Sequence, residues 1–493
     1  MSNDTNERFQ AIAASLQKQQ YFQAEQQAKE YIQTRPLDAQ GWAYLGEALL
    51  SRGFAGAARA VFERAQLLDP EAAWMPNILK QLEQQEEGTE RYDIELLLKT
   101  EKVRVSAAML VRNGEANIED CIRSLQGAVD EIVVLDYGST DRTRTIVAGM
   151  PHIKLIQSQW NDSFASLRNE VHAHITGDWV LWTEVNERLH PRYKGKVREA
   201  AALFQQSESP AALDVISTVR ASGGAGIEKF VGPRMYAMKW GLVYSGRVKE
   251  KLTYPSGITN GVILLQRRLN LKLVVTESGS RENDERLSQL HLELLQRMLT
   301  EEPDTPVWPM HYGEALAGLG RLEEAQSYAE QAARLAELTD FSHRLELMIL
   351  TIRLNMELSR WQEAEQAIQE GNAAFPGYPD FSYYSSQLHL HKAQLLYKQA
   401  AQNTRLALEG FVTYRGPDSM DHDIADWKSQ QLYAELALSS GELAAAESMY
   451  ETLAERFPES AEIRTRLARI ERQRAKLAGT EGGRHNESDN AAP

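Results

Sequence analysis

Polar residues that could bind a ligand stand at the ends of three short apolar runs of the sequence. The runs, at 103–111, 131–136 and 177–183, are rich in β-branched residues and bounded by polar or Gly positions, as buried parallel strands are. In chain order the polar residues are Arg112, Asn113 and Glu115; Asp136, Ser139 and Asp141; and Glu184, Asn186 and Glu187. Because open α/β sheets bind ligands outside the carboxyl ends of their strands, these groups are predicted to line one site.

The strands that must position these residues alternate with helix-like segments. Amphipathic stretches at 117–128 and 163–175 lie between the apolar runs, and a further run occupies 152–157. Strand, helix, strand in this order predicts βαβ units and a parallel sheet. The fold class predicted for the middle of the chain is therefore an α/β, Rossmann-like domain.

Four stretches of this region resemble family 2 glycosyltransferases, and more closely the bacterial members fused to tetratricopeptide repeats. They read AAMLVRNGEANIEDCIRSL, DEIVVLDYGSTDRT, WNDSFASLRNEV and TGDWVLW. The DxGSTD element followed by RN and GDW in that order is specific, and the resemblance is close in the first half of 103–280 and loose in the second. It implies a GT-A fold, a nucleotide diphosphate sugar as donor, most simply a UDP-sugar, and an inverting transfer.

The resemblance also implies a role for each residue of the nucleotide site. Asp136 matches the nucleotide-binding aspartate of the family, since a strand-end carboxylate can accept hydrogen bonds from base or ribose without competing water. Arg168 matches a stretch in which arginine could offset diphosphate charge, although pairing on the helix surface is an equal alternative. The other predicted contacts are Arg112, Asn113, Glu115, Ser139 and Asp141.

The metal motif of the family is altered in this chain. Two aspartates one residue apart are expected after the GDW strand, and their positions hold Glu184 and Asn186, with Glu187 following. The resemblance implies that these three residues hold Mn²⁺ or Mg²⁺, which would neutralise the departing diphosphate. Oxygen donors remain, but the anionic charge is lower, so we expect a weaker metal site.

Two further departures follow along the chain. Relatives often carry His-Glu after a Gly-x-Val turn, whereas residues 246–250 read GRVKE. Glu250 keeps a carboxylate that could act as general base toward the acceptor, and Lys249 takes the place of the histidine. A solvated hairpin face is the alternative for this charged stretch. The sequence TESGS at 276–280 replaces an aromatic-and-histidine turn.

Helical repeats flank the α/β region. One set of residues recurs 34 positions later, which is the tetratricopeptide period. The two sets are Ala24, Ala28, Tyr31 and Pro36, and Ala58, Phe62, Ala65 and Pro70. The same spacing returns from Ala325, Ala364 and Ala446, with an irregular helical stretch between the last two. Such arrays expose a concave surface, which we predict to hold a protein or peptide acceptor; pure scaffolding is the alternative.

Composition narrows the choice of partners. A net charge of -15, from 54 Lys+Arg against 69 Asp+Glu, disfavours a nucleic-acid partner. The single cysteine, Cys121, allows neither an intrachain disulfide nor a Cys-based zinc site. We find no signal-peptide pattern and no uncharged apolar run of about 18 residues. We therefore expect a cytoplasmic protein without membrane insertion.

The domain prediction has four parts: repeats over 1–90, a family 2 glycosyltransferase-like domain over 100–282, tetratricopeptide-like helices over 283–475 and a disordered tail over 476–493. The expected function is sugar transfer to an acceptor held by the repeats. A second hypothesis is a catalytically weakened domain, retained as a fold, whose repeats make the protein a scaffold or partner in a glycosylation system. A third, a lipid-linked glycan synthase at the membrane, lacks a supporting basic amphipathic helix.

Overall fold

The structure, a computed structural model, describes residues 3–220, 226–255, 264–276 and 281–483. The chain divides into two units, Met1–Ala315 and Leu316–Pro493. Within the described residues, no helix has the length and apolar character needed to cross a membrane.

Six helices precede the sheet in the first unit: α1 (Asn3–Gln17), α2 (Tyr21–Thr34), α3 (Ala39–Ser51), α4 (Ala55–Leu68), α5 (Met75–Glu83) and α6 (Tyr92–Leu98). The residues that carry the sequence repeat, such as Ala24 and Ala58, are fully buried. A Cβ atom on Gly46 of α3 would come within 2.7 Å of the Phe62 ring on α4. The two helices can therefore approach this closely only because position 46 is glycine.

The strands of the described residues are β1 (Val105–Val111), β2 (Glu131–Asp136), β3 (Ile153–Gln157), β4 (Trp179–Trp182), β5 (Glu187–Leu189), β6 (Ala211–Arg220), β7 (Gly226–Ala237), β8 (Val243–Ser245), β9 (Lys251–Thr253) and β10 (Leu265–Val275). Eight of them form one sheet in the order β3-β2-β1-β4-β7-β6-β10-β5, and β8 pairs with β9. The first four strands of that order run parallel. The four predicted strands and their parallel pairing are thus confirmed.

Helices α7 (Ile118–Leu125), α8 (Thr143–Ala148), α9 (Phe164–His172) and α10 (Lys194–Gln205) lie between the strands in chain order. Strand β1 shows why the sheet needs cover on both faces. Its Ala107 and Met109 belong to one hydrophobic core, and its Ala108 and Leu110 to another. Alternate residues of a strand point to opposite faces, so an unbroken apolar run is what a strand buried on both faces requires.

Strand β7 makes the sheet mixed, because it runs antiparallel to both β4 and β6. Its register pairs Met235 with Leu181 near the carboxyl end of β4. The residue before it, Arg234, is therefore delivered to the edge of the sheet where the polar residues were predicted to gather. The chain after β4 had been interpreted only loosely from the sequence, and this antiparallel return was not predicted.

The remaining helices are α11 (Arg281–Glu301), α12 (Val307–Gly318), α13 (Leu322–Ala336), α14 (Arg344–Glu357), α15 (Trp361–Ala374), α16 (Pro379–Thr413), α17 (Ser429–Ser440), α18 (Leu443–Arg456) and α19 (Ala461–Gly483). In the second unit Ala325, Ala364 and Ala446, which head the predicted repeats, are fully buried. The stretch predicted to be irregular is largely one 35-residue helix, α16. Helix α19 continues to Gly483, past residue 476 where the tail was predicted to begin, and residues 484–493 lie outside the described part.

Candidate functional site

Two loops at the carboxyl ends of β1 and β2 are joined by hydrogen bonds; we call residues 113–115 and 139–143 the β1–β2 frame. The backbone N–H of Asn113 donates to Ser139 Oγ at 2.8 Å, and Asn113 Oδ1 accepts from the Thr140 N–H at 2.8 Å. The N–H of Gly114 donates to Thr143 Oγ1 at 2.8 Å. Side chains of each loop thus satisfy backbone groups of the other.

The acidic residues of the frame are used in the same way. The N–H of Glu115 donates to Asp141 Oδ2 at 3.1 Å, and Glu115 Oε2 accepts from the Arg142 N–H at 2.9 Å. Burial works to raise the pKa of Asp141, but hydrogen bonds from Thr143 and Glu115 lower it below its usual value. Four of the predicted nucleotide contacts, Asn113, Glu115, Ser139 and Asp141, are therefore brought together, with polar atoms engaged in holding the two loops.

The backbone of the first loop explains its Asn-Gly sequence. Asn113 has φ of 55°, a left-handed conformation that asparagine tolerates better than most residues. A Cβ on Gly114 would come within 2.7 Å of side-chain atoms of both Val111 and Val185. Glycine is needed there so that the β1 loop can lie against the loop that follows β4.

Asp136 closes β2 and is 1% exposed. Its Oδ1 accepts hydrogen bonds from the N–H groups of Gly138 at 3.2 Å and Ser139 at 3.0 Å, and Arg144 Nε lies 3.5 Å from the same oxygen. The other oxygen, Oδ2, is buried and has no hydrogen-bond partner within the described part of the chain. One oxygen thus fixes the turn, and the other is an unsatisfied acceptor at the strand end.

A group of charged side chains lies beyond the end of β4; Arg168, Glu184, Glu187, Arg234 and Glu250 form what we call the arginine–glutamate cluster. Arg168 donates through Nε to Glu250 Oε1 at 2.6 Å and through Nη2 to Glu184 Oε1 at 3.1 Å. Arg234 donates to the same Glu184 Oε1 at 3.1 Å and to Glu187 Oε1 at 3.2 Å. Residues from α9, the β4 loop, β7 and the β8–β9 hairpin therefore meet at one place.

Aromatic side chains hold Arg168 in position. Its guanidinium lies 4.5 Å from the ring centroid of Trp182 and 5.4 Å from that of Tyr244. The Trp182 indole N–H donates to the Tyr236 hydroxyl at 2.8 Å, and that hydroxyl also bonds His172 Nε2 at 2.7 Å. Trp182 is buried in the core, and its ring face supports a cation. His172 lies in this supporting layer.

Burial and ion pairing set the charges of the cluster. Burial acts to raise the pKa of Glu184, but the guanidiniums of Arg168 and Arg234 outweigh it and hold that pKa below its usual value. Glu187 is 3% exposed, and burial raises its pKa despite Arg234. Burial opposes the charge of Arg168, yet Glu184 and Glu250 keep its pKa above the usual value. Glu184 is thus an anion held by two permanent cations.

The loop 184–187 does not fit a divalent cation in this arrangement. Glu184 Oε1 already accepts from two guanidiniums, and Glu187 points inward, where its Oε2 accepts from the Glu184 N–H at 2.8 Å. Asn186 contributes a neutral side chain, while its backbone carbonyl accepts from the Thr276 N–H at 2.9 Å. Over the described residues no group of three or more His, Cys, Asp or Glu side chains could hold a metal ion. Of the three residues predicted to bind Mn²⁺ or Mg²⁺, Glu184 and Glu187 therefore pair with arginines, and the backbone carbonyl of Asn186 accepts from Thr276.

The remaining predicted residues lie around this cluster. Arg112 is exposed. Burial raises the pKa of Tyr137 to about 12, an effect that the charge of Glu184 adds to and the charges of Arg112 and Arg168 oppose. Lys249 has φ of 51° and points to Glu314, 4.0 Å away, rather than to its neighbour Glu250. Of the altered stretch 276–280, only Thr276 lies within the described residues.

Two residues of this region were missed in the sequence. Arg234 comes from a strand with apolar neighbours, and a charged residue in such a run signals a buried partner. His291 of α11 packs against the Phe164 ring, with centroids 5.8 Å apart. Burial and the charge of Lys249 lower its pKa, while Glu250 opposes the shift. The local sequence gives no sign that His291 belongs to this region, because the β8–β9 hairpin lies about forty residues earlier in the chain.

Comparison with known proteins agrees with this architecture. Residues 106–201 match the family model for Glycosyl transferase family 2, and residues 427–470 match that for Tetratricopeptide repeat. The SPbeta prophage-derived glycosyltransferase SunS of Bacillus subtilis is 22% identical over 302 residues, which cover 59% of this chain and 68% of SunS. A TPR repeat-containing protein of Synechococcus elongatus is 41% identical over 86 residues, covering 17% of this chain and 21% of that protein.

Solved structures show more distant similarity. S. aureus TarS 1-349 has a TM-score of 0.31 and 14% identity, covering 54% of this chain and 92% of that one. Glucosyl-3-phosphoglycerate synthase from Mycobacterium tuberculosis, in complex with Mn²⁺, uridine diphosphate and phosphoglyceric acid, has a TM-score of 0.28 and 17% identity, covering 40% of this chain and 78% of that one. No residue role follows from scores this low. The chain therefore joins a region that matches family 2 glycosyltransferases, built on the parallel strands β3-β2-β1-β4, with a helical region that matches tetratricopeptide repeats.

Proposed function

We propose that this protein transfers a sugar from a nucleoside diphosphate sugar, most simply a UDP-sugar, to a protein or peptide acceptor, with inversion at the anomeric carbon. The observation that carries the proposal is the arginine–glutamate cluster at the carboxyl edge of the sheet, in which Arg168 contacts both Glu184 and Glu250. Tyr137 connects the cluster to the candidate nucleotide site at Asp136, because it is the next residue in the chain and the charges of Glu184 and Arg168 act on its pKa.

Asp136 is our candidate for holding the nucleoside. Its Oδ2 is buried without a hydrogen-bond partner among the described residues, and an unsatisfied buried acceptor costs about 1–3 kcal/mol. A ribose hydroxyl or a base N–H donating to that oxygen would recover this cost. A small local opening would be needed to admit the donor group, and the turn at Gly138, with φ of 114°, is the nearest place for it.

Glu250 is our candidate general base. In the proposed step, the acceptor nucleophile gives its proton to Glu250 and its lone pair forms the new bond to the anomeric carbon. The bond from that carbon to the diphosphate oxygen breaks at the same time, and its electron pair leaves with the nucleoside diphosphate. Attack from the face opposite the leaving group gives inversion. The adjacent guanidiniums stabilise the charge that develops on the leaving oxygen.

The repeats before the sheet are suited to presenting the acceptor. Arg64 of α4 donates to Glu199 of α10 at 2.6 Å and to the Leu98 carbonyl at 2.7 Å, so the array is fixed to the α/β core. Helix α6 follows the predicted repeats of 1–90 and packs on their core through Ile94. Its Tyr92 and Leu96 are 71% and 52% exposed and one turn apart, which places them on one face. Exposed apolar groups on a rigid repeat array are suited to holding a peptide.

A second function, a partner protein without transfer activity, is favoured by one observation. Glu250, the candidate base, already accepts through Oε1 from Arg168 at 2.6 Å. Unless ligand binding releases it, the domain would bind nucleotide without turnover.

The test is to co-express the chain with candidate acceptor proteins and to measure their intact masses. We expect one acceptor to gain the mass of a hexose or an N-acetylhexosamine, and purified protein to release UDP from the corresponding UDP-sugar. Tyr92→Ser with Leu96→Ser should lower acceptor modification and leave UDP affinity unchanged. Ile227→Ser, which alters a side chain 61% exposed on β7, is the matched control. Nucleotide binding with no mass gain in any acceptor would favour the partner protein.

A further inference from the structure

We propose that Arg168 and Arg234 form a clamp for the diphosphate, occupied in the free protein by the carboxylate of Glu184 and released to the ligand when nucleotide binds. The two guanidiniums would then supply the charge neutralisation that the family resemblance assigns to a divalent cation. The inference rests on the proposed function, because diphosphate is the leaving group of that reaction.

The geometry of the clamp is that of an anion site. Arg168 Nη2 and Arg234 Nη1 both donate to one oxygen, Glu184 Oε1, each at 3.1 Å. The two guanidiniums arrive from α9 and β7, two separate elements, and converge on a single acceptor. Guanidinium forks recognise carboxylate and phosphate oxygens by the same hydrogen bonds, so the position of Glu184 Oε1 is one that a diphosphate oxygen could take.

The clamp is fixed and its occupant is not. The side chains of Arg168 and Arg234 are 14% and 16% exposed, and that of Glu184 is 40% exposed. Arg168 rests on the Trp182 ring, and Arg234 keeps a second partner in the buried Glu187. Glu184 can therefore turn toward water while both cations stay in place, and its departure leaves two oriented donors without an acceptor.

The balance of charge favours this exchange. Diphosphate carries more negative charge than one carboxylate, and each guanidinium keeps its charge at any physiological pH. Arg168 also retains its bond to Glu250, so the clamp is linked to the candidate base. With diphosphate in the clamp, the added negative charge beside Arg168 makes Glu250 a better acceptor for the proton while both guanidiniums stay in place. Occupation of the donor site would then prepare the base.

The alternative is that Glu184 is a metal ligand, and the two ideas predict opposite effects of one isosteric change. In Glu184→Gln the competing anion is removed but its shape is kept. If Glu184 occupies the clamp, Glu184→Gln should bind UDP about 3–10-fold more tightly in EDTA, because no carboxylate has to be displaced. If Glu184 is a cation ligand, the same variant should bind UDP more weakly in Mn²⁺ and should not gain affinity in EDTA.

The experiment is calorimetric titration with UDP and with UMP, in EDTA and in Mn²⁺, on the full chain. We expect the native protein to bind UDP in EDTA with little change on adding Mn²⁺. Arg234→Gln should weaken UDP at least about 10-fold, the value of a charged hydrogen bond, and should leave UMP nearly unaffected. Arg123→Gln, which removes an exposed pair with Glu119 outside the cluster, is the matched control.

Any one of three results would contradict the clamp proposal. They are no UDP binding by the native chain in EDTA, a lower UDP affinity in Glu184→Gln in EDTA, and an equal loss of affinity for UDP and UMP in Arg234→Gln. Because Glu184→Gln removes no buried cation, it tests the idea even if Arg234→Gln fails to fold. Failure of the proposed function is distinguishable, since a working clamp with no modified acceptor would leave a nucleotide-binding protein that transfers nothing.

Discussion

The β1–β2 frame and the arginine–glutamate cluster lie at the same edge of one sheet, yet they use their polar atoms in different ways. In the frame, side-chain oxygens of one loop accept from backbone N–H groups of the other, as Ser139 and Thr143 do from Asn113 and Gly114. In the cluster, full charges face one another, and the Glu184 side chain at its centre is 40% exposed. The frame is satisfied without a ligand, whereas the cluster can exchange one anion for another.

The two regions differ in how much binding energy they can offer to a ligand at this edge. A satisfied neutral network gains little from a ligand, because each new hydrogen bond replaces one already made. A partly exposed ion pair can be broken at modest cost, and an unsatisfied buried acceptor such as Asp136 Oδ2 gains outright. We therefore expect substitutions in the frame to affect mainly stability, and substitutions at Asp136 and in the cluster to affect ligand binding as well.

The largest effect is expected for Arg168→Met. Removing this guanidinium leaves Glu250, whose side chain is 14% exposed, without its partner, and breaking such a pair from one side costs about 2–4 kcal/mol. The loss should appear as a lower unfolding temperature in thermal denaturation. Arg123→Met is the control, because its pair with Glu119 is exposed and its loss should be within about 0.5 kcal/mol. Equal stabilities of the two variants would show that the cluster is not a buried charge network.

A pH effect of up to about 3 kcal/mol is expected beneath the cluster, at His172. Burial, aided by the charge of Arg168, lowers the pKa of this residue from 6.5 to about 4. The fold thus favours the neutral ring, so its stability is fully present above pH 6.5 and is lost as the pH falls toward 4. His172→Gln should flatten the dependence of the unfolding temperature on pH in this window. Parallel curves for the native chain and the variant would contradict the lowered pKa.

An intermediate effect, about 1–2 kcal/mol in UDP affinity or 5–30-fold, is expected for Asp136→Ala, because a charge-assisted hydrogen bond is lost. Asp136→Asn refines the measurement. It keeps one acceptor oxygen for the N–H groups of Gly138 and Ser139, and it replaces the other oxygen with an NH2 group that cannot accept from a ligand. Calorimetric titration of both folded variants separates the role of the turn from that of the ligand. Native affinity in Asp136→Ala would remove this residue from the nucleotide site.

The smallest effect, about 1 kcal/mol, is the difference between two substitutions in the frame. Asn113→Ala and Asn113→Gly both lose the bond from the Thr140 N–H, but only alanine is strained at φ of 55°. Asn113→Ala should therefore unfold at a lower temperature than Asn113→Gly, with UDP affinity per folded molecule alike in both. A much weaker UDP affinity in both variants would mean that Asn113 contacts the ligand rather than the neighbouring loop.

The sequence predicted one side of this edge better than the other, for a physical reason. The strands around the frame are continuous apolar runs whose parallel order follows from βαβ connections, so Asn113, Ser139 and Asp136 could be placed at one edge. That their atoms would bond each other was not predicted, because a ligand and a backbone N–H require the same acceptor oxygens.

The cluster was only half predictable. Arg168, Glu184 and Glu250 were recognised through the family resemblance, but Arg234 arrives on an antiparallel strand that no local pattern required. Its pairing with Glu184 joins residues 50 positions apart, and that pairing is what turns the predicted cation site into a pair of arginines around a carboxylate. Long-range pairing of this kind depends on the order of the strands, which periodicity alone does not fix.

Whether Glu250 takes the acceptor proton in a working transferase is tested by the transfer rate of Glu250→Gln at saturating UDP-sugar. Glutamine keeps an oxygen for Arg168 Nε, so UDP affinity and thermal stability should stay near those of the native chain. Transfer should fall at least about 100-fold, because a general base contributes that much or more. A native rate in Glu250→Gln, with UDP bound normally, would contradict the assignment of the base and of the mechanism built on it.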